Sequence, residues 1–398
     1  SNFGGQFKQS MGLLSHNKKR MLINGNEAVA LGAAAAGCTF IAAYPMTPAT
    51  SIMEYLAGKS AELGLAVVQP EDEIAAINMA IGGALAGARA MTATSGGGFS
   101  LMVEGLSLAG ITETPIVIIL AQRPGPAVGL PTRTEQGELG FAIHAGHGEF
   151  PRAVLAPGTA EDCFWLTVKA FNLADKYQVP VIVLTDQHLA SSYVTVDSFD
   201  LSKVKIDRGL LLTDDDANKL AEYERHQITE SGVSPRALPL QGRLLVATDS
   251  DEHGEEGHII EDAETRKQMV LKRLRKLDGV AGELGQPRFL RSPEAKLTLV
   301  GWGSTYGAIR EAVSLLQRDG VPANILQLNE LWPFPAEAVS SALGGNCRSY
   351  VVENNATGQL ARLIRAETGI RASGSILKFD GRPFSPEFIV KELKKEVS

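Results

Sequence analysis

The chain has 398 residues, of which 44% are hydrophobic, and it carries a net charge of −7. This length predicts roughly two or three domains with sizeable cores, and the acidic balance argues against a general nucleic-acid binder. No apolar stretch of about 18 residues is free of turn signals, so we expect no membrane-spanning helix.

Signals for secretion and for disulfide formation are missing from the sequence. The N-terminus lacks the charged-then-apolar pattern of a signal peptide. The three cysteines, Cys38, Cys163 and Cys347, are far apart and form no C-x-x-C pair, which is typical of a cytoplasmic protein. Residues 1–20 begin with Ser1 instead of Met, and we interpret them as a tag or linker remnant or as the end of a fused domain.

Residues 21–192 alternate between helical and strand-like patterns. Such alternation predicts an α/β fold with a mostly parallel, doubly wound sheet. We expect strands near residues 40–43, 65–68, 90–93, 116–120, 153–155 and 181–184.

Polar segments directly follow three of these expected strands. Thr47 stands between two prolines that stiffen its loop. Glu71, Asp72 and Glu73 open a helix, although acidic residues favour the first turn of any helix. Arg123 follows a third apolar run. Because open α/β sheets bind ligands at the carboxyl ends of their strands, three polar segments at one edge predict a ligand site.

The rest of the chain divides into two parts. Residues 193–290 are charged and poor in apolar runs, which predicts an irregular connecting region that ends in a helix over residues 261–277. Residues 291–398 restart the α/β alternation and predict a second, smaller domain, with a helix from Tyr306 and strands near residues 297–300, 323–328, 350–352 and 376–379.

The chain contains four long motifs in this order: YPMTP, EDE-IAAINMAIGGALAGARAMTATSGGG, RPGP-x-x-GLPTRTEQ and VVENNATGQLARLIR. Together they resemble the alpha subunit of 2-oxoacid:ferredoxin oxidoreductases, and most closely the 2-oxoglutarate (2-oxoglutarate synthase) branch. Ordered long motifs are more specific than one short motif. The resemblance implies a thiamine-diphosphate pyrimidine-binding type doubly wound domain over residues 21–192 and a transketolase C-terminal-like α/β domain over residues 291–398.

The activity that the resemblance implies is coenzyme A-dependent oxidative decarboxylation of a 2-oxoacid. 2-Oxoglutarate would give succinyl-CoA, CO₂ and reduced ferredoxin, or the reverse. Pyruvate or a branched 2-oxoacid is the alternative substrate. Another thiamine-diphosphate enzyme, either a 2-oxoacid decarboxylase or a transketolase-like protein, and a non-catalytic scaffold are the alternative functions.

The resemblance also implies a partner, because half of the expected active site is missing. The sequence has neither the GDG motif that usually holds the cofactor's diphosphate through Mg²⁺ nor a cysteine set for an iron–sulfur cluster. A beta subunit is therefore expected to bring the diphosphate-binding domain, Mg²⁺ and a [4Fe-4S] cluster. A gamma domain or subunit is a further candidate partner.

Glu73 aligns best with the family's glutamate that activates the cofactor's aminopyrimidine ring, and Glu71 and Asp72 are the rival carboxylates. In a dry site, one carboxylate can make a strong charged hydrogen bond to the ring. Glu73 is favoured because it adjoins the apolar side of its helix, which is formed by Ile74, Ile77 and Ile81.

Arg123 and Thr47 are implied to bind the carboxylate of the substrate. Arginine binds a carboxylate as a planar fork, and a hydroxyl can orient it further. A surface residue at a strand end is the alternative for Arg123, and a turn cap is the alternative for Thr47. Relatives often have Ser-Thr where this chain has Ala127 and Val128, so no binding role is assigned to these two positions.

The cofactor's pyrimidine pocket is expected at the strand end and glycine-rich helix start around Thr94. Backbone amides in such a segment can hold polar groups, but no lysine follows, so this is not a phosphate loop. The residues expected to line the pocket beside Glu73 are Pro48, Thr92, Ser95 and Gly96.

The remaining candidates lie in loops. Asp251 and His253 belong to the acidic segment DSDEHGEEGH, for which similar family segments imply a lid or a coenzyme A contact. No metal site is expected there, because a third well-placed histidine or cysteine is missing. Arg133 and Glu135 hold the substrate loop or a subunit contact, or form a solvated salt bridge. Residues 353–359 are expected to contact a neighbouring subunit or coenzyme A, although helix capping also explains them.

Overall fold

The computed structural model of the protein describes residues 20–397. The segment interpreted as a tag or linker lies outside these residues, apart from Arg20, which begins the first strand. Within the described part of the chain, no helix combines the length and the apolar character needed to cross a membrane.

The strands are β1 (Arg20–Ile23), β2 (Phe40–Ala42), β3 (Ala66–Val68), β4 (Ala90–Thr94), β5 (Ile116–Gln122), β6 (Ala153–Leu155), β7 (Pro180–Asp186), β8 (Val194–Asp197), β9 (Arg288–Leu290), β10 (Leu297–Trp302), β11 (Ala323–Leu328), β12 (Glu330–Trp332), β13 (Arg348–Glu353) and β14 (Gly374–Leu377). The helices are α1 (Gly25–Ala35), α2 (Thr50–Ala57), α3 (Ser60–Leu63), α4 (Glu73–Leu85), α5 (Gly96–Ile111), α6 (Leu139–His144), α7 (Ala160–Tyr177), α8 (Gln187–Ser191), α9 (Asp214–Lys219), α10 (Ala263–Glu283), α11 (Thr305–Arg318), α12 (Ala336–Leu343), α13 (Gln359–Thr368) and α14 (Pro386–Val397). A short 3-10 helix covers Leu201–Lys203.

The first sheet has seven strands in the order β12-β6-β7-β5-β4-β2-β3. Strands β2 to β7 pair in parallel, and β12 adds to β6 in the antiparallel sense. The central strands β5 and β7 are buried along their whole length. Strands that helices cover on both faces are typically continuous apolar runs, which confirms the predicted doubly wound sheet.

The two faces of this sheet contribute to two different cores. Val117 and Ile119 of β5 belong to the core on one face, and Ile118 belongs to the core on the other face, as the period of two in a strand requires. The core that contains Ile118 also contains Trp302 and Leu326 from the second half of the chain. The two halves therefore share one continuous apolar core.

The second sheet has five strands in the order β14-β13-β10-β11-β9. Strands β10, β11, β13 and β14 pair in parallel, and β9 pairs with β11 in the antiparallel sense. β12 follows β11 but leaves this sheet to join the first one. The second sheet and its helices correspond to the predicted second α/β domain, whereas the crossover of β12 was not predicted from the sequence.

A set of amide side chains joins the two halves. Gln136 Nε2 donates to the Trp302 carbonyl (2.9 Å), and Gln136 Oε1 accepts from the Asn354 N–H (3.0 Å). The Gln359 amide donates to and accepts from backbone groups within residues 137–140 (2.7 and 2.9 Å). The C-terminal Asn-rich motif thus contacts the first half of its own chain. We call this set the interdomain clamp, which consists of Gln136, Asn354, Asn355 and Gln359.

Residues 193–290 pack on the first domain through buried charges. Glu113 is fully buried and forms ion pairs with Lys272 and Lys276 of α10, which are also fully buried. His226 Nδ1 lies 2.9 Å from Glu113 Oε1. Burial opposes ionisation, but the charges of the two lysines outweigh it and hold the pKa of Glu113 well below its usual range. The predicted helix over residues 261–277 corresponds to α10.

The Glu113 cluster gives a prediction about stability. Replacing Glu113→Gln leaves the ammonium groups of Lys272 and Lys276 buried without a counter-charge. Breaking a buried ion pair from one side typically costs about 3–5 kcal/mol. We expect a loss of this size in the free energy of unfolding, measured by denaturant titration.

The matched control is Glu62→Gln. Glu62 pairs with Lys59 at 3.5 Å on the surface, where both side chains are largely exposed. Exposed pairs contribute at most about 1 kcal/mol, so this variant should unfold almost as the unmodified protein does. Equal losses for the two variants would show that the Glu113 cluster stabilises the fold no more than a surface pair does.

Candidate functional site

The site lies at the carboxyl edge of the first sheet, between β2 and β4. The chain leaves β2 toward β3 on one side and leaves β4 toward β5 on the other side. Such a reversal opens a crevice in which α/β sheets bind ligands. The segments that follow β2, β3, β4 and β5 carry Thr47, Glu73, Ser95 and Arg123, so the structure brings the predicted polar segments to one edge.

The three acidic residues after β3 have three different roles. Glu71 is exposed. Asp72 caps α4, because its Oδ1 accepts from the Ala75 N–H at 2.7 Å. Glu73 is only 3% exposed, and its Oε1 is buried without a hydrogen-bond partner. Of the three carboxylates, Glu73 is therefore the one that is available to a ligand in a dry site.

The first turn of α5 makes room for the Glu73 carboxylate. A Cβ atom on Gly98 would lie 2.1 Å from Thr94 Oγ1 and 2.6 Å from Glu73 Oε1. Only glycine fits at such a close approach. The Glu73 carboxylate therefore lies directly against the N-terminal turn of α5.

The predicted apolar side of α4 is wrong at one position. Ile77 and Ile81 are buried, but Ile74 is 50% exposed. Ile77 is covered by α5, where a Cβ on Gly105 would lie 2.7 Å from its Cγ2. Ile74 is in the first turn of α4, at the open edge of the sheet, where the core that covers Ile77 no longer reaches.

The loop after β2 connects Glu73 with Arg123. Met46 Sδ lies 3.3 Å from the Gly98 N–H, which donates to it, in the turn that holds the Glu73 carboxylate. One residue further along, the Thr47 carbonyl accepts from Arg123 Nη1 at 2.7 Å. The Thr47 hydroxyl is on an exposed residue. The contact with Arg123 thus uses the backbone of Thr47, and its side chain remains available.

Arg123 faces a cleft of about 270 Å³. Ser95 is fully buried at this cleft, and its Oγ has no hydrogen-bond partner. Thr47 occupies one guanidinium N–H of Arg123, which has five such donors. We call this space the Arg123 cleft; its lining includes Ser95, Gly97, Arg123, Pro126, Glu138 and Phe141.

The other residues predicted to bind the cofactor lie at the same edge. The Pro48 carbonyl accepts from Asn26 Nδ2 at 2.7 Å, which fixes the loop after β2. Thr92 is fully buried in β4, and its Oγ1 has no hydrogen-bond partner. Gly96 begins α5 and lines the Arg123 cleft. Their role in cofactor binding stays a prediction.

Glu138 is a site residue that the sequence analysis missed. It lines the Arg123 cleft, and its Oε2 is buried without a hydrogen-bond partner. Burial and the nearby charge of Glu135 raise its pKa to about 8, and Arg123 opposes this shift. The one signal in the sequence is its position just after the TEQ segment. Two residues that the sequence analysis did consider lie in the same loop. Arg133 is exposed. Glu135 is partly buried, and this burial raises its pKa.

Asp251 and His253 lie away from this cleft lining. Asp251 is exposed, whereas His253 is fully buried against His226, with ring centroids 4.0 Å apart. Among residues 20–397, Glu113, His226 and His253 form a group of possible metal ligands, because their carboxylate and imidazole ligand atoms lie within 4.8 Å of one another. Two lysines already neutralise Glu113, so the group fits an ion-pair cluster better than a metal site. The lid or coenzyme A role of Asp251 and His253 stays a prediction.

Two domain families match this chain. The one described as pyruvate flavodoxin/ferredoxin oxidoreductase, thiamine diP-bdg, matches residues 31–272. The one described as pyruvate:ferredoxin oxidoreductase core domain II matches residues 295–389. The first match contains Glu73 and the Arg123 cleft. The second match contains Asn354, Asn355 and Gln359 of the interdomain clamp.

Named relatives cover nearly all of the chain. The 2-oxoacid:ferredoxin oxidoreductase 1, subunit alpha, of Sulfurisphaera tokodaii is 40% identical, over 96% of this chain and 62% of that protein. The 2-oxoglutarate synthase subunit KorA of Archaeoglobus fulgidus is 34% identical, over 94% of this chain and 99% of that protein. The chain thus spans about 62% of the first relative and nearly the whole of the second.

Two solved structures are similar to this chain to different degrees. A 2-oxoglutarate:ferredoxin oxidoreductase from Magnetococcus marinus with 2-oxoglutarate, coenzyme A and succinyl-CoA bound has a TM-score of 0.91 at 37% identity, over 96% of this chain and 66% of that chain. A transketolase from Pichia stipitis has a TM-score of 0.51 at 12% identity, over 97% of this chain and 47% of that chain, which shows a shared fold alone. The chain therefore belongs to the pyruvate flavodoxin/ferredoxin oxidoreductase family, as its motifs predicted.

Proposed function

We propose that this chain is the alpha subunit of a 2-oxoacid:ferredoxin oxidoreductase that acts on 2-oxoglutarate. The reaction would convert 2-oxoglutarate, coenzyme A and oxidised ferredoxin into succinyl-CoA, CO₂ and reduced ferredoxin, or run in reverse. The observation that carries the proposal is the buried, unpartnered Glu73 Oε1 at the carboxyl edge of the sheet.

The residues of this pocket fit thiamine diphosphate. An unpaired carboxylate oxygen in a dry site is costly, and an N–H of the aminopyrimidine ring would satisfy it. When bound, the cofactor supplies the carbon nucleophile for the oxo group of the substrate. Glu73 would hold the ring and favour the tautomer that accepts a proton, while Pro48, Thr92, Ser95 and Gly96 would surround it.

Arg123 would orient the substrate by binding its carboxylate. The guanidinium is fixed by the Thr47 carbonyl at 2.7 Å, so its planar fork is already aligned before the substrate arrives. Groups that are already oriented before the substrate binds lower the entropy cost of reaching the reactive geometry, which is a large part of catalysis. The Thr47 hydroxyl would add a further contact. Ala127 and Val128 are both exposed and offer no hydroxyl, so they are not assigned a contact with the substrate.

The proposal includes a beta subunit that carries Mg²⁺ and a [4Fe-4S] cluster. Cys38 and Cys163 are buried, and burial raises the pKa of both thiols, to about 12 for Cys38. Thiols of this kind are poor cluster ligands, because ligation needs the thiolate. A partner must also supply the diphosphate site, ferredoxin must accept the electrons, and coenzyme A must accept the acyl group.

The substrate range has one specific alternative. The Sulfurisphaera tokodaii relative carries the broader name 2-oxoacid:ferredoxin oxidoreductase, which favours a wider set of 2-oxoacids that includes pyruvate. Viologen reduction by the complex with its partner, compared for 2-oxoglutarate, pyruvate and a branched 2-oxoacid, tests both versions. A complex that binds no thiamine diphosphate and reduces no acceptor would leave only the scaffold alternative.

The first catalytic prediction concerns Glu73→Gln. The amide keeps the volume but loses the negative charge that favours proton transfer within the cofactor. Acid–base assistance contributes roughly 10²–10⁴-fold in rate, so we expect kcat to fall by a factor in this range. The measurements are viologen reduction and deuterium exchange at the thiazolium carbon of the bound cofactor, both of which should slow.

Glu71→Gln is the matched control, because Glu71 is two positions earlier and exposed. Its substitution should leave both rates unchanged within about twofold, as expected for a surface substitution. If Glu71→Gln slowed exchange while Glu73→Gln did not, the assignment of the pyrimidine-activating carboxylate would be wrong.

The second catalytic prediction concerns Arg123→Lys. Lysine keeps the positive charge but lacks the planar fork that binds a carboxylate through two hydrogen bonds. A hydrogen bond to a charged group contributes about 1.5–3 kcal/mol, so KM for the 2-oxoacid should rise by about 10- to 100-fold. The KM for coenzyme A should stay the same. Arg310→Lys, at an exposed position of α11, is the control, and a similar rise in KM there would refute the assignment.

A further inference from the structure

Glu138 lies on the Arg123 cleft with both carboxylate oxygens in unusual positions. Its Oε2 is buried without a hydrogen-bond partner. Its Oε1 lies so close to the start of α5 that a Cβ on Gly96 would be only 2.6 Å away. Buried polar atoms are nearly always paired, and Ser95 Oγ at the same cleft is also buried and unpaired. Two unpaired polar atoms at one cleft indicate a polar ligand.

The position of Glu138 is fixed from both directions. Its backbone N–H donates to Gln122 Oε1 at 3.0 Å, at the end of β5. On the other side, Gln136 and Gln359 of the interdomain clamp hold the preceding residues and the start of α6. A side chain carried by such a loop is held in place before a ligand arrives, which is what a binding residue requires.

Charges around Glu138 determine its protonation. Glu135 faces it from the same loop, Arg123 faces it from the end of β5, and Glu73 lies against the first turn of α5, the same turn that Glu138 approaches. Burial and Glu135 raise the pKa of Glu138 to about 8 against the effect of Arg123. At neutral pH the carboxyl is therefore mostly protonated, and a protonated carboxyl has an O–H to donate.

We propose that Glu138, in its protonated form, donates a hydrogen bond to the carboxylate of the 2-oxoacid that Arg123 binds. The ligand class is a carboxylate anion, held by a guanidinium on one side of the cleft and a neutral acid on the other. The inference rests on the proposed function, because it adds a second donor to the same substrate site.

The proton makes binding depend on pH with a defined sign. An ionised Glu138 would repel the carboxylate, so the anion binds to the protonated form and raises the proton affinity of Glu138. With a pKa of about 8 in the free protein, roughly nine-tenths of the carboxyl is protonated at pH 7 and roughly one-tenth at pH 9, so the protonated fraction falls about tenfold. The affinity for the anion should fall by about the same factor.

Calorimetry on the complex with its partner subunit tests this inference without turnover. The probes are glutarate and oxamate, which carry the carboxylates of 2-oxoacids but no ketone. Titrations at pH 7 and pH 9, in buffers with different heats of ionisation, report both affinity and the protons taken up. We expect the affinity of the unmodified complex to fall about tenfold from pH 7 to pH 9, with proton uptake on binding at pH 9.

In the Glu138→Gln variant the amide N–H is a permanent donor. Its affinity should stay nearly constant over this pH range, with no proton uptake that depends on the probe. Glu135→Gln removes one repulsive charge, so it should move the midpoint of the pH dependence to lower pH. Glu104→Gln, on the exposed side of α5, should behave as the unmodified complex does.

Proton uptake that persists in Glu138→Gln would overturn the inference, and so would an unmodified complex whose affinity does not change between pH 7 and pH 9. Failure of the unmodified complex to bind either probe would also overturn it. Viologen reduction with 2-oxoacids, measured on the same preparation, reports separately on the proposed function. A complex that turns over 2-oxoacids but shows no coupled proton keeps the proposed function and loses only the role of Glu138.

Discussion

The site depends on the close approach of one buried carboxylate to the start of a helix. Glu73 reaches the first turn of α5 only because Gly98 has no side chain. The carboxylate keeps an oxygen without a partner, and such a group costs on the order of several kcal/mol when it is buried. The buried carboxylate therefore destabilises the folded protein, and burial of the apolar cores on both faces of the sheet offsets that cost.

The loops around Glu73 form a connected set. Met46 contacts the turn that holds the carboxylate, and Thr47 fixes Arg123. A short rigid segment thus sets the separation between the group that would activate the cofactor and the group that would bind the substrate. A change in the loop after β2 would alter both functions together, whereas a change at Glu71 or Asp72 would alter only the start of α4.

Much of the fold and part of the site could be predicted from the sequence. The strands of the first sheet follow apolar runs, and Glu73, the carboxylate that the motif favoured, is the buried one of the three acidic residues; its role toward the cofactor stays a prediction. The exposure of Ile74 was missed because helical periodicity does not show where the neighbouring element ends. β12 was missed because three residues carry no period. Glu138 was missed because it packs against the start of α5 and the end of β5, contacts that the sequence around it does not show.

The connecting region, residues 193–290, also has features that its local sequence did not predict. Its charges suggested an irregular connecting region without a core of its own, and they did not predict that Lys272 and Lys276 would be fully buried on Glu113. His253, from the acidic segment, is buried beside His226. A charged residue that finds its counter-charge far along the chain cannot be distinguished, by local composition, from one that faces water.

The interdomain clamp bears on how this protein can diverge. The Gln359 side chain forms hydrogen bonds with backbone groups of residues 137–140, and the Gln136 side chain forms hydrogen bonds with the backbone of Trp302 and Asn354. The C-terminal half therefore helps to fix the conformation of the backbone at residues 136–140. Exchanging that half with a distant homologue would change the loop even if every residue of the first domain were retained. Substitutions in the second half can consequently change the shape of the Arg123 cleft, although the residues that line this cleft come from the first half.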